Sequence, residues 1–337
     1  MNYASLLNRL LKREDLPHND MLELMRNIMG GKLTPAQIAA VLVALNMKGE
    51  TVGEIAAAAQ VMRELSNKVT VQDDKHLIDT CGTGGDGAQT FNISTASALV
   101  AAAAGARVAK HGGRSVSSTC GSADILEMLG VNVNHTPQQV ARCVQELGVG
   151  FMFAPNHHSA MKYAAPVRRE LGVRTLFNLL GPLTNPAGAQ NQVIGVFQRD
   201  LTVKLAHVMQ QLGSQHVLVV HGADGMDEIS ISGPTYIAEL INGAVLEYLV
   251  QPQDFSLQAA PLDSIRVANA DEARTMLLSV LDNQPGAARD IVQLNAGAAI
   301  YVAGLTATLQ EGVQKAKEVI ASGAAKNKLE ALVHIHT

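Results

Sequence analysis

Apolar residues recur at helical spacing through the opening stretch of the chain: Ile38, Val41, Leu42 and Leu45, then Ile55, Ala58, Ala59 and Met62. No strand pattern interrupts them. Thr34-Pro35-x-Gln37 and Thr51-x-x-Glu54 read as capping-box starts, the first with proline at the favoured opening position. The polar stretch 66–75 reads as a linker. From His76 onward, short β-branched runs alternate with helical patterns. Predicted strands cover His76–Asp79, Arg107–Lys110, Val149–Phe153, Gln192–Phe197 and His216–His221. Thr136-Pro137-x-Gln139 and Asn269-x-x-Glu272 mark helix starts, and the tail from Ala268 returns to helix. Tyr236–Leu240 and Val245–Val250 flank Asn242-Gly243, which predicts an antiparallel hairpin. The predicted fold is α/β: a small N-terminal all-helical domain, residues 1–70, and a large α/β domain, residues 76–337, with a mainly parallel central sheet flanked by helices. Gly181–Gly188 is the one long turn-rich interruption. The segment 165–190 that carries it reads as a hinge or as a piece packing on the helical domain.

The strand end at Leu77-Ile78 runs into Asp79-Thr-Cys-Gly-Thr-Gly-Gly-Asp-Gly87, and a helix is expected from Ser94 to Ala104. Glycines at this density let backbone N–H groups converge on a close ligand, most often a phosphate. Strand, glycine loop and helix N-terminus together make an anion cradle. Gly82-x-Gly84-x-x-Gly87 matches the dinucleotide fingerprint, but the next strand ends in Lys110 where that fold wants an acidic residue. No Gly-Lys-Ser/Thr closes the loop, so a Walker site is excluded too. Asp86 would repel a bare pyrophosphate unless a cation or ribose hydroxyls met it.

Composition narrows the partners. The chain has 337 residues, with 26 Lys plus Arg against 30 Asp plus Glu and a net charge of −4. That balance, with no Trp and 3% aromatics, argues against a nucleic-acid partner. An anionic substrate needs locally concentrated basic groups. The most apolar window, Ala96 to Ala106, is about half the length that spans a bilayer, so no membrane association is expected. Cys81, Cys120 and Cys143 show no CxxC spacing, and the N-terminus lacks a signal-peptide pattern. A cytoplasmic location is the expectation.

Further segments carry chemistry. Lys110-His-Gly-Gly-Arg-Ser-Val-Ser-Ser118 sets two cations and three hydroxyls around a glycine pair, just past a predicted strand. Two phosphate-type loops suggest a substrate with two phosphate ends. Asp227-Glu228 follows the strand at Val217–Val220, and such a pair either holds Mg²⁺ or works as general acid and base. Beside phosphate loops the Mg²⁺ role fits better. His157 and His158 lack metal spacing; one reads as structural and the other as a pocket wall. Arg168 on the next helix could clamp a carboxylate.

These segments, in this order, resemble the anthranilate phosphoribosyltransferase family, along essentially the whole chain. The resemblance rests on Cys81-Gly-Thr-Gly-Gly-Asp86, Thr90-Phe-Asn-Ile-Ser-Thr95, Lys110-His-Gly with Arg114-Ser-Val-Ser-Ser118, the run Arg174 to Pro186, and Asp227-Glu228. It implies a helical domain that forms a homodimer interface, and the substrates phosphoribosyl pyrophosphate and anthranilate with Mg²⁺. It implies that Gly82, Gly85, Asp86, Thr90, Asn92, Ile93, Ser94 and Thr95 hold the phosphoribosyl donor. Lys110, His111, Gly112, Gly113, Arg114, Ser115, Val116, Ser117, Ser118 and Ser122 would continue that site. Ser94, Asp227 and Glu228 would serve the metal. Gly82, Gly113 and Arg168 would face anthranilate, with His111 and His158 as pocket walls. The family pattern usually has Asn where this chain has Gly113, so the acceptor contact of that amide is missing here. A pyrimidine nucleoside phosphorylase shares the architecture but should lack the paired carboxylates. A non-catalytic binding protein should show a broad basic face, which the charge balance does not.

Overall fold

The computed structural model describes residues 2–114 and 120–335. Seven strands form one sheet: β1 Leu77–Asp79, β2 Arg107–Gly112, β3 Val149–Phe153, β4 Asn191–Gly195, β5 His216–Gly222, β6 Thr235–Ile241 and β7 Ala244–Val250. Their order is β3-β2-β1-β4-β5-β6-β7. The first five in sequence are parallel, and β6 and β7 add antiparallel at one edge through the Asn242-Gly243 turn. Every predicted strand is present, with ends moved by one or two residues. His76 falls outside β1 because its φ is +62°, which a strand does not accommodate. β2 runs on to Gly112 because its pairing with β3 continues through His111 and Gly112. His111 and Gly112 therefore lie inside the strand, which was expected to end at Lys110.

Alternation along the strands assigns the two faces of the sheet. Val193, Leu218, Val220 and Ile237 point into a core shared with the helices Ile93–Ala103 and Ala287–Val302. Ile194, Val217, Val219, Ala238 and Leu240 point the other way, into a core shared with the helix Leu201–Gln211 and the N-terminal helices. Those helices are Tyr3–Leu11, His18–Met29, Pro35–Lys48 and Val52–Glu64. The small helical part thus shares one apolar core with a face of the sheet.

The turn-rich segment differs in detail from the sequence expectation. Gly181, Pro182 and Leu183 form the last turn of a helix, Phe177–Leu183. Proline removes only one hydrogen bond at the end of so short a helix, and the Pro182 ring is buried. The crossing that follows is tied down. Arg63 donates to Leu183 O at 2.6 Å, Gln192 to Pro182 O at 2.8 Å, and Val69 N–H to Pro186 O at 3.1 Å. The Phe177–Leu183 and Ala165–Leu171 helices pack on Val52–Glu64 and Pro35–Lys48 respectively.

The predicted capping boxes at Thr34 and Thr51 both form. At the second, Glu54 does more than cap. Its fully buried carboxylate accepts from Thr51 N–H, from Leu16 N–H at 2.9 Å and from the buried Lys48 ammonium at 2.9 Å. Removing one partner of such a pair leaves a buried charge and unpaired amides. Glu54→Ala is expected to cost about 3–5 kcal/mol, seen as a lowered urea midpoint; a shift no larger than that of a surface substitution would refute it.

Candidate active site

The chain leaves β1 for β2 on one side and later returns to β4 on the other. The carboxyl ends of β1 and β4 are therefore the switch point of the sheet, where α/β proteins bind ligands. The glycine loop after β1 and the connection after β5 meet there. Gly84, Gly85 and Gly87 have φ of +65°, +78° and +73°, a region side chains rarely adopt. Thr83 anchors the loop to the end of β4, its N–H donating to Gly195 O at 2.8 Å.

Two glycines make room for Asp227. A Cβ on Gly82 would sit 2.8 Å from Asp227 Oδ2, and one on Gly195 would sit 1.5 Å from the Asp227 carbonyl oxygen. Asp227 Oδ2 accepts from Gly84 N–H at 2.8 Å, so one loop donor expected to meet a phosphate is committed to this carboxylate. Asp227 N–H in turn donates to Asp86 Oδ2 at 3.3 Å. Glu228 lines the same narrow cleft as Thr80, Gly82, Ser94 and Gly195, and the Ser94 backbone favours its charged form. Burial first, and the Asp86 charge second, push the Asp227 pKa up to about 7. Burial and then Asp227 raise that of Glu228 well above the usual carboxylate range. Asp86, Asp227 and Glu228 gather carboxylate oxygens around the cleft that Ser94 also lines, donors of the kind a hard cation such as Mg²⁺ takes, but the three do not converge within 4.8 Å of one another in this structure. Asp86, expected with the donor-binding residues, belongs to this acidic group as well.

The other predicted site residues are distributed less simply. Ser94 opens the Ile93–Ala103 helix, and its hydroxyl accepts from Lys110 Nζ at 3.2 Å. The Ile93 and Thr95 side chains are buried, and Ile93 fills the main core. Asn92 Nδ2 donates to Cys120 O at 2.9 Å, and Thr90 bridges to Arg266. Lys110 is buried, and its ammonium also donates to Thr80 O at 2.9 Å. It is an internal strut beneath the loop, not the open cation that the sequence suggested. Arg114 is likewise committed, to Asp124 at 2.7 Å and to both oxygens of Glu127 at 2.6 and 2.9 Å. Ser122 begins the next helix and packs against Gly112, where a Cβ would meet its side chain at 3.1 Å. A Cβ on Gly113 would meet nothing within 4 Å. Ser115, Val116, Ser117 and Ser118 lie outside the described residues.

The two adjacent histidines have different surroundings. His157 Nδ1 donates to Asn67 O at 2.8 Å, a structural tie to the linker. His158 stacks edge-on against His111, with ring centroids 5.1 Å apart. Burial lowers the pKa of His111 to about 3 and of His158 to about 4, so both are neutral at physiological pH. His111 Nδ1 faces Gly181 O at 3.2 Å and must carry the ring proton, leaving Nε2 as a buried acceptor without a partner among the described residues. Arg168 lies over the Phe177 ring, 5.3 Å from its centroid. The Phe177–Leu183 helix therefore joins Arg168 at one end to His111 at the other.

Sequence reasoning missed the supports. Asp79 accepts from His111 N–H at 3.1 Å and from Asn185 Nδ2 at 2.7 Å, and burial raises its pKa to about 6. Asp79, Cys81 and His111 offer ligand atoms within 4.8 Å of one another. The Asp79 oxygens are already engaged, however, and Lys110 lies beside them. Arg174 donates to Gly85 O at 2.6 Å and stacks on Phe197, while its carbonyl accepts from Asn46 of the helical part at 3.1 Å. Among the described residues, no helix is long and apolar enough to cross a membrane.

Comparison with known proteins agrees with this geometry. Residues 4–66 match the glycosyl transferase family helical bundle domain, and residues 74–326 match the glycosyl transferase family a/b domain. An anthranilate phosphoribosyltransferase of Nitrosomonas europaea is 61% identical over 99% of this chain and 98% of its own. The chain belongs to the anthranilate phosphoribosyltransferase family. The family member from Thermus thermophilus superposes with a TM-score of 0.92 at 44% identity, covering 99% of this chain and 98% of its own. The Saccharomyces cerevisiae member, solved in complex with PRPP and Mg, gives 0.90 at 26% identity over 98% of this chain and 96% of its own.

The raised Asp227 pKa has a consequence for stability. A carboxyl protonated more readily when folded stabilises fully below its unfolded value of about 4, and that contribution is lost as pH rises through about 7. The Mg²⁺-free protein should therefore melt lower at pH 8 than at pH 6. Asp227→Asn should flatten that difference, and added Mg²⁺ should reduce it in the parent protein alone. Equal pH dependence in both proteins would refute the assignment.

Proposed function

We propose that this protein transfers the phosphoribosyl group of phosphoribosyl pyrophosphate to anthranilate, giving N-(5-phosphoribosyl)anthranilate and diphosphate in L-tryptophan biosynthesis. The observation that carries the reading is the seating of Asp227 against the glycine loop at the switch point of the sheet. It sets oxygen ligands for a cation directly beside backbone donors for a phosphate. Whole-length identity with named relatives supports the same reaction.

The chemistry asks for little beyond alignment and charge. Diphosphate leaves C1 of the ribose through a cation-like transition state, so negative charge on the leaving group is what must be stabilised. Asp227, Glu228 and Ser94 would hold Mg²⁺, which when bound neutralises that charge. With the Thr83 and Gly84 N–H groups engaged by Gly195 and Asp227, the remaining loop N–H groups and the start of the Ile93–Ala103 helix would orient the donor. The acceptor amine is neutral at pH 7 and needs no strong base. Neutral His111 and His158 suit it: a ring that stays unprotonated presents Nε2 as an acceptor for an amine N–H. Arg168, half-buried on Phe177, would meet the acceptor carboxylate.

The same reading makes residues 1–70 a helical domain and 76–337 a donor-binding domain, with 165–190 the segment joining their movements. A homodimer through the helical part is supported by Leu11 and Met47, which are 66% and 71% exposed on its surface. A cytoplasmic location follows from the biosynthetic role.

Loss of anthranilate fluorescence with phosphoribosyl pyrophosphate and Mg²⁺, and none with EDTA, is the direct test. Asp227→Asn combined with Glu228→Gln should lower turnover at least a hundredfold, on the order of the loss of a major electrostatic contribution, with unchanged circular dichroism. Retained turnover at equal Mg²⁺ would rule out the metal assignment.

Gly113→Asn should leave the melting temperature within the range of a surface substitution, since a Cβ there meets no neighbour. It should lower the KM for anthranilate several-fold without moving that for the donor. A change in the donor KM alone would argue that position 113 does not face the acceptor.

A further inference from the structure

Asp227 and Glu228 sit in the connection between β5 and β6, and the residue after them is gripped from below. Asn295, in the middle of the Ala287–Val302 helix and 3% exposed, holds the peptide groups of Ile229 at both ends. Its Oδ1 accepts from Ile229 N–H at 2.8 Å, and its Nδ2 donates to Ile229 O at 2.9 Å and to Ile291 O at 3.0 Å. Asparagine is a poor helix former, and a buried amide must find partners. Here it finds three, two of them outside its own helix. The same side chain borders the cleft that Glu228, Ser94 and Gly82 line. The helix is a firm base: Tyr301 OH donates to the buried Glu239 at 2.9 Å, and Gly297 lies so close to the next helix that a Cβ would come within 2.6 Å of Val313 backbone. On its other flank the connection is tied by Asp224, which accepts from the Ser230 hydroxyl at 2.6 Å.

We propose that Asn295 is a positioning residue that sets the distance of the Asp227–Glu228 pair from the glycine loop, and so the affinity of the site for a divalent cation. The inference rests on the reading that this acidic pair holds Mg²⁺. A loop free to drift at Ile229 would move carboxylates that must approach one ion together, whereas the acceptor pocket around His111 and Arg168 does not depend on it.

The test is Mn²⁺ binding to the protein without added diphosphate, followed by the loss of the free-ion electron paramagnetic resonance signal, well below the melting temperature of each protein. Asn295→Ala is expected to raise half-saturating Mn²⁺ at least tenfold while leaving the KM for anthranilate within twofold. Asn295→Ser serves if the alanine variant does not fold, because a serine hydroxyl can still bond Ile291 O within the helix but does not reach Ile229. It should raise the midpoint as well. A lowered melting temperature with Mn²⁺ binding within twofold of the parent would overturn the proposal and leave Asn295 a purely structural residue. If Asp227→Asn and the parent protein bind Mn²⁺ equally, the metal reading itself fails and the proposal falls with it.

Discussion

At the switch point the Asp227 backbone lies so close to the end of β4 that position 195 has no room for a side chain. Gly82 is held to the same condition from the opposite side. Much of the site follows from this contact. It lets an acidic residue reach Gly84 N–H, brings Asp86 onto Asp227 N–H, and so gathers carboxylates where the glycine loop opens. Burial first, and then repulsion between the carboxylates, raise the Asp227 and Glu228 pKa values, while the backbone donors beside them work the other way. The cluster becomes favourable when a cation and an anion arrive together. Under the proposed function, phosphoribosyl pyrophosphate with Mg²⁺ would supply that combination.

Around this centre, rigidity comes from buried polar groups tied to several partners each. Lys110 ties Thr80 to Ser94, Asp79 and Asn185 tie β1 to the crossing, and Arg174 ties the loop to the helical part. Each joins elements far apart in sequence. The helical part also shares its core with a face of the sheet, so a shift of those helices would be felt at Gly85 and at Gly181. Under the proposed function, that continuity would give a physical route by which acceptor and donor halves of the site are brought into register.

Most of the fold was legible from local chemistry. Capping boxes at Thr34, Thr51 and Thr136 form because Ser/Thr and Gln/Glu at this spacing satisfy one another before any tertiary contact exists. Strands such as Val149–Phe153 and the Asn242-Gly243 turn answer to the same kind of local rule. The glycine loop was visible as a candidate because glycine at that density has few other uses, and Asp227-Glu228 because the pair stands in a chain with phosphate-type loops. Lys110 and Arg114 were read less well. Their charge suggested open phosphate contacts, whereas continued pairing of β2 with β3 buried one and Asp124 with Glu127 captured the other.

Pattern along the chain was therefore enough for the division into a helical part and an α/β part, the mainly parallel sheet, and the glycine loop and acidic pair as candidates. Which residues support that pair was decided only by folding. Gly195 matters because a later loop, the one carrying Asp227, returns to it, and Asn295 because its helix passes beneath Ile229. Neither fact has a local signature: hydrogen bonding and steric exclusion depend on distances in space, and for residues separated this far in sequence only the packed core sets those distances.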